Sequence, residues 1–159
     1  GEVCALISKY TTKDAWCGYR QEAVVQIAMT DFEPVNAFRK RWGGSVSKYN
    51  RENGHPAYQW TRKGARAKEV AQKLLPYILS PRKRGALQCV IDYCDTLQTT
   101  RSPLFYRLSV EILLKREECR EKCRAFNAKG LGANNRTEVE INEIGKIKIP
   151  TRQMEFLNV

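Results

Sequence analysis

The chain has 159 residues, of which 42% are hydrophobic and 28% charged, and a formal net charge of +11. That length fills one core of ordinary size, so one globular domain with extra helices is expected. No run of about 18 apolar residues occurs, which excludes a spanning helix, and no secretory signal is visible.

The charge is unevenly placed. Between Asn36 and Arg84 stand thirteen Lys and Arg residues against two acids, Glu52 and Glu69, so the whole net charge of the chain lies in that segment. A block of one sign repels itself unless a polyanion lies beside it, and nucleic acid is the commonest polyanion. A basic surface that only aids solubility is the plainer alternative.

The first predicted elements are strands. "VCALISK" (Val3 to Lys9) is followed by the polar connector "YTTKDAWCGYRQ" and by "EAVVQIAMT". Alternation in the second strand puts Ala23, Val25, Ile27 and Met29 on one face and Glu22, Val24, Gln26 and Ala28 on the other. Thr30 with Glu33 forms a capping-box signal, with Asp31 as a second capping candidate. The helix opened there carries Val35, Phe38 and Trp42 on one side, and Gly43-Gly44 stops it.

"SVSKYN" and "AYQWTRK" read as two strands joined by a turn around Asn53-Gly54. The latter points Tyr58 and Trp60 one way and Gln59, Thr61 and Lys63 the other. An amphipathic helix follows from about Ala65 to Leu79, ended by Pro81. "RKRGALQCVIDYCDTL" is a third helix. After Ser102-Pro103 a fourth runs through "LFYRLSVEILLKREECREKCRAF" to Asn127. The remainder, residues 128–159, is expected to be a tail or short β extension to a domain spanning residues 1–127.

Six cysteines, Cys4, Cys17, Cys89, Cys94, Cys119 and Cys123, show no CxxC spacing, and His55 is the single histidine. Zinc binding is therefore not expected. The cysteines read as reduced core residues of a cytoplasmic protein, organellar or phage-encoded origins included, and not of a secreted one. The Asn135-Arg136-Thr137 sequon is then a chance match.

The order is thus strand, strand, helix, strand, strand, helix: an α+β fold with a curved antiparallel four-stranded sheet, backed by helices and followed by C-terminal ones. Covering its apolar face leaves the polar face bare, a shape suited to the outside of a nucleic-acid duplex. In this order "MTDFEPVNAF", "RWGGSV", "YQW", "GARAKEVAQKLLPYI" and a basic cluster resemble the LAGLIDADG homing endonucleases of single-motif type, over roughly residues 1 to 98. "CRAFNAKG" is similar to the helix tails of such members.

The resemblance implies site-specific, magnesium-dependent hydrolysis of double-stranded DNA by a homodimer whose LAGLIDADG helices pack together, encoded within an intron or intein. Two metals would hold the attacking water and the departing oxygen. The motif helix itself is absent before the first strand, and the chain begins at Gly1, so it reads as a processed, trimmed or incomplete product expected to cleave weakly or not at all. Two alignments stay open: the catalytic acid lies just before Gly1, or Glu2 is the catalytic acid and metal ligand. The family's lysine five residues after the "LLPYIL" proline is replaced by Pro81, so Arg82 or Lys83 is expected to substitute, and "RKR" at a helix start invites an external anion. Asp31 aligns with a position that orders water at the active site, with helix capping as its structural alternative.

For base readout the polar-face candidates are Gln26, Ser47, Tyr49, Gln59 and Thr61. Arg39, Lys40, Arg41, Lys48, Arg51, Arg62, Lys63 and Arg66 are candidates for phosphate contact. Trp60, Tyr58, Trp42 and Phe38 are expected in the core, and His55 has no catalytic role. The rival readings are a non-cleaving DNA-binding protein, an RNA-splicing maturase of the same fold, or a ribosome-associated RNA-binding module.

Overall fold

A computed structural model describes residues 2–13, 17–50, 54–98 and 108–128. The expected tail strand or hairpin, the candidate Arg51 and the residue Gly1 lie outside that range. Strands β1 (Glu2–Thr11) and β2 (Tyr19–Met29) are followed by helix α1 (Phe32–Trp42) and strands β3 (Ser45–Asn50) and β4 (Pro56–Lys63). Helices α2 (Ala67–Leu74), α3 (Pro81–Gln98) and α4 (Val110–Asn127) complete the described chain. The strands form one antiparallel sheet in the order β1-β2-β4-β3, as expected for this α+β class.

Register decides which residues share a face. Val3, Ala5 and Ile7 lie opposite Ile27, Val25 and Ala23, and Ile27 lies opposite Trp60. These face α1, α2 and α3 and make the core with Val35, Val70 and Leu87. Phe38, Trp42 and Trp60 meet there with ring centroids 5.2 to 6.3 Å apart, and the Trp60 indole donates to the Gly43 carbonyl at 2.7 Å. The four aromatic residues assigned to the core from the sequence are all packed in or against it.

Several local expectations are corrected. The first hairpin is longer than the alternation suggested: both ends of the supposed connector, Tyr10 and Thr11 on one side and Tyr19, Arg20 and Gln21 on the other, belong to β1 and β2, with Gly18 at φ 75° in the turn. The capping box does not form, because Asp31 holds the N-cap position of α1 and no side chain caps it. The expected helix from Ala65 to Leu79 is α2 flanked by two short 3-10 turns, Gly64–Arg66 and Leu75–Tyr77. Pro81 does not end that helix but begins α3, where its missing N–H costs nothing. The Ser80 hydroxyl accepts from the Lys83 amide at 3.5 Å in that first turn. Leu108 and Ser109 precede the fourth helix, with the Ser109 hydroxyl capping it through the Ile112 amide.

Helices α3 and α4 pack closely. A Cβ on Gly85 would stand 2.3 Å from the Phe126 ring, so glycine permits the approach there. Helix α4 also runs along the outer edge of β1. There the Asn127 amide donates to the Ala5 carbonyl at 2.8 Å, the Cys123 thiol reaches the same carbonyl at 3.4 Å, and Lys9 pairs with Glu117 at 3.2 Å. An edge strand offers unpaired backbone groups to other chains, and α4 blunts this one.

Candidate nucleic-acid interface

The face of the sheet opposite the core carries the readout candidates. Gln26 lies opposite Thr61, Thr61 opposite Ser45, Gln59 between Ala28 and Ser47, and Tyr49 opposite Ala57. Gln26, Ser47, Tyr49, Gln59 and Thr61 therefore share one face, and each is half-buried or exposed. Toward β1 that face becomes less polar, with Cys4, Leu6 and the buried Val24. Lys63 is on the same face, its ammonium 3.7 Å from Glu22.

The remaining basic candidates divide. Lys48 and Arg62 lie opposite Tyr58 and Val25, which places both on the helix side of the sheet. Arg62 is half-buried against Gly43, and its Nε has no hydrogen-bond partner among the described residues. The alternation that put Tyr58 and Trp60 inward already assigned Arg62 to their side. Arg39, Lys40 and Arg41 are exposed in the last turn of α1, where they face the negative end of the helix dipole. The Arg41 guanidinium rests 5.1 Å from the Trp42 ring centroid. Arg66 is exposed at the start of α2.

Three of the four candidate catalytic residues come together. Glu2 begins β1, Arg82 and Lys83 lie in the first turn of α3, and the three line one cavity of about 110 Å³ with Asn127 and Ala5. The Lys83 ammonium is 3.6 Å from the Glu2 carboxylate, whose side chain is 74% exposed. No acid occupies the first turn of α3, so its positive dipole end and its basic residues reinforce one another. Asp31, exposed at the start of α1, does not line that cavity. Asn127 was not singled out as a site residue; its partner is 122 positions away, and no local pattern reports such a contact.

Among the described residues no group of three His, Cys, Asp or Glu side chains is placed to hold a metal ion. Glu2 is the single carboxylate of its cavity among the described residues. Magnesium takes one or two carboxylates and fills its octahedron with water and phosphate oxygens. The donor set thus fits an ion shared with a second carboxylate and a phosphate, and does not fit one held by a single chain.

Cys4 also lines that cavity, whereas the four buried cysteines do not. Cys89, Cys94, Cys119 and Cys123 are buried and free, and burial pushes the Cys94 and Cys119 thiols up to about 11 and that of Cys123 up to about 12.

Neither a sequence-family profile nor a curated protein sequence matches this chain. Solved structures do. The homing endonuclease I-CvuI, in complex with an uncleaved I-CreI target in the presence of magnesium, is similar at a TM-score of 0.59 and 18% identity, over 89% of this chain and 83% of that one. The archaeal intron-encoded homing endonuclease I-Vdi141I, complexed with DNA, gives 0.63 and 14%, over 91% and 87%. I-SmaMI, bound to an uncleaved DNA target with calcium ions, gives 0.60 and 12%, over 84% of this chain but 44% of that one. No described helix is long and apolar enough to cross a membrane. The fold is that of the LAGLIDADG homing endonucleases.

Proposed function

We propose that this chain is a site-specific DNA-binding nuclease of homing type that works as one half of a two-fold pair. The observation that carries the reading is the register of β2, β4 and β3, which sets Gln26, Gln59, Thr61, Ser47 and Tyr49 side by side on the face away from the described helices. Glutamine amides pair with adenine through two hydrogen bonds, and serine or threonine hydroxyls serve several bases. Lys63 and Arg66 flank that face and suit phosphate contact, which fixes position without reading sequence.

Phosphodiester hydrolysis is assigned to the cavity at the start of β1. Glu2 would hold a divalent metal ion, magnesium by the chemistry of an oxygen donor, together with its counterpart in a second copy and a DNA phosphate; when bound, the ion activates water and offsets charge on the scissile phosphate. Lys83 and Arg82 bring positive charge to the same phosphate, and Lys83 pairs with Glu2 while the phosphate is away. Similarity to most of I-CvuI but to less than half of I-SmaMI supports a unit that acts in pairs. The domain assigned to residues 1–127, with residues 128–159 as an extension, belongs to this reading.

The test is binding and cleavage of duplex DNA selected from a random library, with magnesium, calcium or chelator. Affinity for duplex should fall steeply with salt, with a log–log slope of about 0.9 per neutralised phosphate. With a LAGLIDADG helix fused ahead of residue 1 the chain should cut with magnesium, and Glu2→Gln in that fusion should bind without cutting. Tight duplex binding with no cutting by the chain or by the fusion favours the non-cleaving DNA-binding protein. A preference for structured RNA at equal salt favours the maturase.

A further inference from the structure

A second cavity, of about 310 Å³, lies between the far end of the β1–β2 hairpin and the α3–α4 pair. It is large enough for a small ligand. Eight residue-to-residue steps of extended strand lead from Glu2 to Tyr10, in its wall, a span of roughly 26 Å, so it is separate from the candidate nuclease cavity.

Its distinctive group is Arg116 of α4, only 8% exposed. Nε donates to the Thr96 hydroxyl at 2.8 Å and Nη2 to the Thr96 carbonyl at 3.2 Å, while the guanidinium lies 5.7 Å from the Tyr93 ring centroid. Among the described residues no carboxylate pairs with it. A guanidinium carries five N–H donors and never gives up its proton. A buried charge without a counter-charge is costly, and one is normally paired.

The other walls fit an anion with an apolar body. Leu97, Leu108 and Leu113 supply apolar surface, Tyr19 an aromatic one and Arg20 a second cation. Glu22 also lines the cavity, but its carboxylate is engaged with Lys63.

We infer that this cavity binds a small organic oxyanion, a phosphate or carboxylate on an apolar or aromatic body, with Arg116 as its counter-charge. Arg116 holds the anion through the N–H groups that Thr96 leaves over, and the leucines and Tyr19 pack the body. The site is independent of the sheet's open face and stands whether or not the chain cuts DNA.

The experiment is titration of the chain, free of DNA, with dAMP and separately with benzoate at constant ionic strength, following Leu113 and Leu97 methyl resonances and the thermal midpoint. Expected are saturable methyl shifts with one or both probes and a midpoint that rises with probe concentration, both lost in Arg116→Met. Response to dAMP alone assigns a phosphate head, and to benzoate alone a carboxylate. Absence of saturation with both probes overturns the proposal, as does a response that survives in Arg116→Met. Without probe, Arg116→Met should fold with an unchanged or higher midpoint. A large fall in that midpoint would show that the chain itself neutralises Arg116, and overturns it too.

Discussion

Replacing Trp60 by phenylalanine tests how the sheet and α1 are joined. Trp60 is fully buried, its indole N–H donates to the Gly43 carbonyl at 2.7 Å, and its ring lies 5.6 Å from Phe38 and 6.3 Å from Trp42. Phenylalanine keeps the aromatic contact but has no donor, so the lost hydrogen bond costs about 1 kcal/mol. The smaller ring leaves space that a packed core only partly recovers, for roughly 1–2 kcal/mol more. The expected loss is about 2–3 kcal/mol, read as a shift of the urea midpoint at unchanged m-value. Trp42→Phe is the control: Trp42 is half-buried and has no comparable bond, so about 1 kcal/mol is expected. Equal losses in the two variants would refute the role given to the Gly43 carbonyl.

Further outcomes follow from other sites. Gly44 has φ 90°, and a Cβ there would meet the Thr61 carbonyl at 2.5 Å, whereas Gly54 has φ 78° with nothing within 4 Å. Gly54→Ala should cost about 1–2 kcal/mol of backbone strain, and Gly44→Ala at least about 1 kcal/mol more; equal midpoints would remove the steric argument. The thiols of Cys94, Cys119 and Cys123 are raised from 9.0 to about 11, 11 and 12, so the folded chain keeps protons that the unfolded chain releases. Stability from these thiols is complete below pH 9 and is lost as pH rises toward 11, at about 1.4 kcal/mol per pH unit for each thiol; a flat denaturation midpoint across that range would contradict it. Gln59→Ala should relax base preference at one target position by about 1–3 kcal/mol, while Lys48→Ala, on the helix side, should leave selected-target preferences intact in the same competition assay.

The sheet was legible because its alternation is strict where burial is one-sided: Ala23, Val25 and Ile27 point inward, and Gln59 and Thr61 outward. The same period assigns Lys48 and Arg62 to the inner side, so counting basic residues without their parity overstates the phosphate candidates. Helix ends were less legible. Pro81 reads equally as a stop or as a first helical residue, and only the Ser80 hydroxyl before it favours the start. The edge of β1 was not legible at all. Asn127 and Cys123 satisfy Ala5 across more than a hundred positions, and such closure leaves no periodic trace in either segment. For the same reason Glu2 and Lys83 were separate candidates in the sequence and are one cluster in the fold.

That cluster adds little to stability, and its charge suits an external anion. The Glu2 side chain is 74% exposed and that of Lys83 30%, at a separation of 3.6 Å. Pairs so wetted contribute about 0–1 kcal/mol, because water screens them and two long side chains lose freedom. Yet α3 begins with three successive basic residues and no acid, an arrangement that repels itself at the positive end of the helix dipole. A phosphate at that position would relieve the repulsion that one exposed carboxylate relieves only in part. Lys83→Met should therefore leave the urea midpoint within about 0.5 kcal/mol of the wild type and weaken duplex binding, lowering its log–log salt slope by about 1. A variant that loses stability but binds with an unchanged salt slope would make Lys83 a structural partner of Glu2 and remove it from the DNA interface.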